Sequence, residues 1–96
     1  GQPGEKASAG IHFEKAGDME LELTAIAADI QERWNIEDVL LVRRIGTLNI
    51  GDIISLVAVS SPSSNDAFEA CRFGLDRFKK MKSLKKTERL LGKERG

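Results

Sequence analysis

The chain has 96 residues, of which 41% are apolar and 31% charged; it is too short for two independent cores and too apolar to remain disordered, so one globular domain is expected. A domain of this size buries only about 60–65% of its unfolded surface, which leaves modest intrinsic stability and a use for partner contacts. The formal net charge of zero conceals a division: residues 1–76 carry 6 basic and 13 acidic side chains, net −7, while residues 77–96 carry 9 basic and 2 acidic ones, net +7. The C-terminal segment is therefore a candidate anion site.

A lone cysteine, Cys71, can form neither an internal disulfide nor a zinc site with other cysteines. No apolar run approaches the roughly 20 residues that span a bilayer, and no basic-then-apolar leader opens the chain. A cytoplasmic location without membrane contact is the expectation. The first residue is Gly1 instead of Met, as in a tag scar, a processed chain or an excised fragment.

Residues 1–10, with Gly1, Pro3, Gly4, Ser8 and Gly10, have the composition of a flexible lead-in or loop. Ile11 and Phe13 alternate with His12 and Glu14, predicting a short strand. From Asp18 onward, Met19, Leu23, Ile26, Ala27, Ile30 and Trp34 recur at helical spacing opposite Glu20, Glu22, Asp29 and Glu32. Asp18 is placed to cap that helix, with the acids near its positive end. The runs Val39–Val42 and Ile53–Val59 read as strands, and Thr47–Asp52 is short enough to join them as antiparallel neighbours. Pro62, Ser63, Ser64, Asn65 and Asp66 mark the start of a second helix, with capping-box spacing between Ser63 and Asp66 or between Asp66 and Glu69. Its predicted apolar face is Ala67, Phe68, Cys71, Leu75 and Phe78, with Phe73 and Gly74 at the margin. The order of elements indicates an α+β domain, a mainly antiparallel sheet covered by two helices.

Arg33 and Trp34, then Arg43, Arg44, Ile45, Gly46 and Leu48, then Ala67, Phe68, Glu69 and Ala70 together resemble the large, catalytic subunit of molybdopterin synthase. In that register Lys79 and Lys86, seven residues apart and followed by Glu88, fall on the two lysines of the family. The resemblance runs from Ile11 to Glu88. It implies the alpha/beta-hammerhead fold of that subunit over residues 11–88, followed by a basic tail over 89–96.

The resemblance also implies an activity in molybdenum cofactor biosynthesis. Sulfur carried as a thiocarboxylate on the C-terminal glycine of a small ubiquitin-like subunit is moved onto cyclic pyranopterin monophosphate to form molybdopterin. No cofactor or metal is bound, the pterins being substrate and product. Two large subunits form the centre of a heterotetramer. Lys79 and Lys86 are the implied catalytic residues, and Arg43, Arg44, Ser63, Ser64, Lys80 and Lys85 the candidate substrate-binding ones. Both substrates are anionic, and a lysine ammonium can hold an anion or, partly desolvated among other cations, exchange a proton or act as a nucleophile. Seven residues are about two helical turns, so the two lysines would share a face if the second helix continued through them.

The family's opening strand, with its arginine, precedes the point at which this sequence starts, and the pattern departs from the family at two further places. Ser63 and Ser64 stand where a His-Arg pair is usual, and Ser83, Leu84 and Lys85 where Pro and Trp usually precede the second lysine. Two alternatives follow: a catalytically silent member that still binds the small subunit, and a nucleic-acid module using the stripe from Lys79 through Arg89 to Lys93. The absence of Tyr and of any aromatic after Phe78 disfavours the nucleic-acid reading. Elsewhere simpler roles are expected: core packing for Cys71, Trp34 and the phenylalanines, a strand or surface position for His12, and ion pairing as an equal alternative for the two arginines.

Overall fold

The structure is a computed structural model; it describes residues 8–90, with side-chain placement for 9–88. Its elements are β1 (Ser8–Lys15), α1 (Met19–Arg33), β2 (Asp38–Arg43), β3 (Gly46–Asn49), β4 (Ser55–Ser60), α2 (Ser64–Lys79) and β5 (Leu84–Leu90). Residues 1–7 of the expected lead-in and 91–96 of the expected basic tail, Lys93 included, lie outside the described residues.

The α+β class holds, with the strands divided between two antiparallel sheets instead of one. β1 is the centre of a three-stranded sheet ordered β3-β1-β5, and β2 pairs with β4 in a two-stranded sheet. The connection expected to run directly from β2 to β4 contains β3, which leaves its chain neighbours and pairs with β1, Leu48 opposite Ile11 and Thr47 opposite His12. A turn then returns the chain to β4: Asp52 N–H donates to the Asn49 carbonyl at 3.1 Å, and Asp52 Oδ2 accepts from Asn49 N–H at 2.8 Å. Gly51 at φ 96° supplies the left-handed residue that the turn requires. β1 begins at Ser8, earlier than expected, because a register shift between Ser8 and Gly10, with Gly10 at φ 136°, lets the strand continue through the glycine.

Both helices start where capping predicts. Asp18 Oδ1 accepts from Leu21 N–H at 3.0 Å, and the Ser63 hydroxyl accepts from Asp66 N–H at 3.2 Å. α1 buries Ile26 and Ile30, four residues apart, against Ile36, Ala70, Phe78 and Met81. α2 turns a different face inward from the one its bulky side chains predict. Ala70, Gly74 and Phe78 are buried, while Phe68 is 76% and Leu75 43% exposed. The reason is steric. α2 lies so close to β4 that a Cβ at Gly74 would stand 3.1 Å from both methyls of Val57, so the smallest side chains face the sheet.

α2 also ends sooner than a shared helical face for Lys79 and Lys86 requires. After Lys79 the backbone turns, Lys80 N–H donating to the Arg77 carbonyl at 3.0 Å, Met81 enters the core, and the chain becomes β5, antiparallel to β1. Residues 84–90 thus form an edge strand, where a helix extension and a tail were expected.

The contact between α2 and β4 tolerates little added volume. Gly74→Val is expected to lower the unfolding free energy by about 1–3 kcal/mol in urea melts, with partial recovery when combined with Val57→Ala.

Candidate active site at the junction of helix and sheet

Strand alternation in β2 points Val39, Leu41 and Arg43 to the inner face and leaves Leu40 and Val42 outside. Arg43 is the last of the inward residues, so its guanidinium emerges where the core ends. It stacks 4.4 Å from the ring centroid of Phe13 on β1 and lies 5.8 Å from that of Phe78 on α2. Its Nε is buried without a hydrogen-bond partner, and burial pushes its pKa below the usual arginine value without removing the charge. This guanidinium is held by aromatic faces with donor capacity left over.

A cleft of about 430 Å³ opens beside it. Lys79, the last residue of α2, and Lys86, from β5, join Arg43 in its lining. The remaining wall is largely apolar: Ile11, Phe13, Ile54, Phe78, Met81 and Leu84, with Ser55. Among the described residues, three cations and no carboxylate line the space. The two lysines meet there although no helix connects them, because β5 runs back along β1 with Lys86 opposite Phe13. The Lys79 side chain is 78% exposed, and its 4.0 Å approach to Asp76 is a weak surface pair.

The other candidates are placed differently. Lys85 pairs opposite Glu14, and strand alternation turns it to the face away from Leu84 and Lys86. Lys80 is exposed just beyond α2, and Arg44 is exposed while its backbone N–H donates to the Ile54 carbonyl. Ser63 and Ser64 sit at the opposite end of α2 from Lys79, about 24 Å away along a helix of this length. Arg43 and Arg44, weighed as partners for the acidic helix, form no ion pair with it among the described residues. That role belongs to Arg77, which pairs with Asp29. Cys71 is partly buried at the α2–β4 contact, and the His12 ring lies 3.0 Å from the Thr47 hydroxyl. Among the described residues no group of three or more His, Cys, Asp or Glu side chains is arranged for a metal, and no helix is long and apolar enough to cross a membrane.

One group next to the cleft carries no signal in the sequence. Glu22, in the first turn of α1, accepts from the backbone N–H of Lys82 and of Ser83, each at 2.9 Å, and from the Ser83 hydroxyl. Burial raises the Glu22 pKa. The Ser83 hydroxyl, the two amides and the charge of Arg77 outweigh it and hold the carboxyl below its ordinary value. Ser83 is itself only 5% exposed.

Two antiparallel sheets, two helices and a cleft lined by three cations over an apolar floor define an α+β domain with a concave cationic surface. The chain belongs to the MoaE protein family, whose profile matches residues 2–81. It is 39% identical over 69 residues to the molybdopterin synthase catalytic subunit of Halalkalibacterium halodurans, covering 72% of this chain and 44% of that protein. With the molybdopterin synthase catalytic subunit of Vibrio cholerae it shares 44% identity over 71 residues, 73% of this chain and 47% of the relative. The crystal structure of molybdopterin synthase from Staphylococcus aureus superimposes with a TM-score of 0.82 at 32% identity, covering 94% of this chain and 66% of that one. The chain thus spans less than half the length of these two curated relatives.

Two measurements test the site's electrostatics. Because the Glu22 pKa is lower folded than unfolded, its contribution is complete above the ordinary value of 4.5 and disappears as pH falls through the folded-state value. In acid titrations of stability, Glu22→Gln should therefore show a shallower loss than the parent chain. Inorganic phosphate, followed by nuclear magnetic resonance, should perturb Arg43 and Lys86, and Arg43→Met should weaken that binding by about tenfold, as loss of a charge-assisted contact predicts.

Proposed function

We propose that this chain acts as the large, catalytic subunit of a molybdopterin synthase. It moves sulfur from the thiocarboxylated C-terminal glycine of a small ubiquitin-like subunit to cyclic pyranopterin monophosphate, in a cytoplasmic heterotetramer centred on two large subunits. The observation that carries this reading is the convergence of Lys79 and Lys86, from the end of α2 and from β5, on one cleft with Arg43. Family membership and the names of the relatives support it.

Each transfer forms a carbon–sulfur bond on the pterin side chain as a carbon–oxygen bond at the same carbon breaks, and then cleaves the bond between sulfur and the acyl carbon of the donor glycine. Water supplies the oxygen of the carboxylate that leaves. Both partners enter as anions, so the cleft must neutralise charge before sulfur and carbon can approach. Arg43, fixed between aromatic rings, is suited to hold the phosphate. Lys79, at the exposed rim, lies nearest the donor tail and assists sulfur transfer. Lys86 holds the pterin and exchanges a proton with its leaving oxygen. The apolar floor receives the pterin ring and limits water around the reacting atoms.

Reconstitution with a thiocarboxylated small subunit and the pterin precursor tests this directly. Lys79→Ala and Lys86→Ala should each reduce dithiolene formation by about 10²-fold or more, the scale of a lost proton-transfer or charge-stabilising group. Normal product formation by both variants would overturn the assignment.

A further inference from the structure

Lys85 and Lys86 are adjacent, equally charged and both exposed, yet only Lys86 lines the cleft. Consecutive side chains of a strand point to opposite faces. A slip of β5 by one residue along β1 would present Lys85 to the cleft and turn Lys86 and Leu84 out. The sequence of β5, Leu-Lys-Lys-Thr-Glu-Arg-Leu, does little to forbid that slip: between its terminal leucines it is entirely polar, and it lies at a sheet edge. Within the strand only Leu84, packed against the core, favours one register, so most of the register has to be set from outside it.

We propose that Glu22 is the positioning residue that sets it. The carboxylate captures two successive backbone N–H groups, those of Lys82 and Ser83, and the Ser83 hydroxyl as well. Ser83 immediately precedes β5, and its carbonyl accepts from Ala16 N–H at 2.7 Å, extending the β1–β5 ladder by one step. Glu22 follows Ala16 by only six residues, across the short bend into the capped start of α1. The carboxylate therefore grips the start of β5 relative to the end of β1, closing a small ring of backbone and side chain. A strand displaced by one residue could offer the carboxylate two other amides but not the third bond, because Lys82 or Leu84 in place of Ser83 brings no hydroxyl. Met81, 9% exposed in the core, fixes the same turn from its other side. The choice of Lys86 over Lys85 is made on α1, at a residue that does not line the cleft.

This inference rests on the proposed role of Lys86 for its catalytic meaning, but its test does not need turnover. The parent chain, Glu22→Ala, Glu22→Gln and, as a control, Glu20→Ala are compared by nuclear magnetic resonance. In the parent and the control, cross-strand contacts link Phe13 with Lys86, and inorganic phosphate perturbs the Lys86 side chain more than that of Lys85. In Glu22→Ala the Phe13–Lys86 contacts should weaken or be joined by Phe13–Lys85 contacts, β5 amides should exchange about tenfold faster or more, and the preference of phosphate for Lys86 should fall. The β1–β3 and β2–β4 contacts should persist. Glu22→Gln retains one acceptor oxygen and should lie between; it is the deciding variant if Glu22→Ala fails to fold. A folded variant with parental Phe13–Lys86 contacts, β5 exchange and phosphate preference would overturn the proposal. Unchanged sulfur transfer by Lys86→Ala would remove the catalytic reading and leave the register result standing, so the two failures are separable.

Discussion

Only four residues, Lys80 to Ser83, separate the last turn of α2 from the first residue of β5, and the cleft takes its form from how they are held. Met81 is drawn into the core against Ile26 and Phe78. The next two amides, which would otherwise need water, are taken by the Glu22 carboxylate. A longer or looser connection would let β5 drift from the helix end, and Lys79 and Lys86 would no longer border one space. The apolar and ionic anchors act on opposite sides of a single turn, so neither is dispensable for its direction.

The same economy of distance governs the other side of the domain. Gly74 lets α2 settle on Val57, which carries Phe78 down to meet the Arg43 guanidinium from one side while Phe13 meets it from another. Arg43 can leave a buried Nε unpaired because its charge is spread over a planar group lying on aromatic faces, an environment a lysine ammonium would not match. The acidic character of residues 1–76 is consistent with this arrangement. Among the described residues Glu22 is engaged with the turn and Asp29 with Arg77, and the one ion pair to a cleft cation is the weak surface pair of Lys79 with Asp76.

Much of the fold was legible in the sequence, for local reasons. α1 follows from the spacing of Ile26 and Ile30 and from Asp18 at its start; β2 follows from a continuous apolar run and β4 from one rich in β-branched residues. β3 escaped because four residues, Gly-Thr-Leu-Asn, carry too little pattern, and their pairing with β1 is a long-range event. β5 escaped because a nearly all-polar edge strand looks like a solvated tail, and the lysine spacing coincides with two helical turns. Of the site, Lys79, Lys86 and Arg43 could be named in advance. Glu22 could not, since a first-turn glutamate on an amphipathic helix is what dipole and solvation already explain. Its partner amides lie sixty residues away and have no identity in the sequence.

Arg43 also gives the cleft a fixed positive charge. A guanidinium keeps its proton throughout the range in which proteins are folded, even where burial lowers its pKa. In the proposed reaction, retention of the anionic substrate and exchange of protons with it belong to different side chains. In that proposed reaction, a permanently charged Arg43 would hold the anion through both transfers, whatever the lysines are doing.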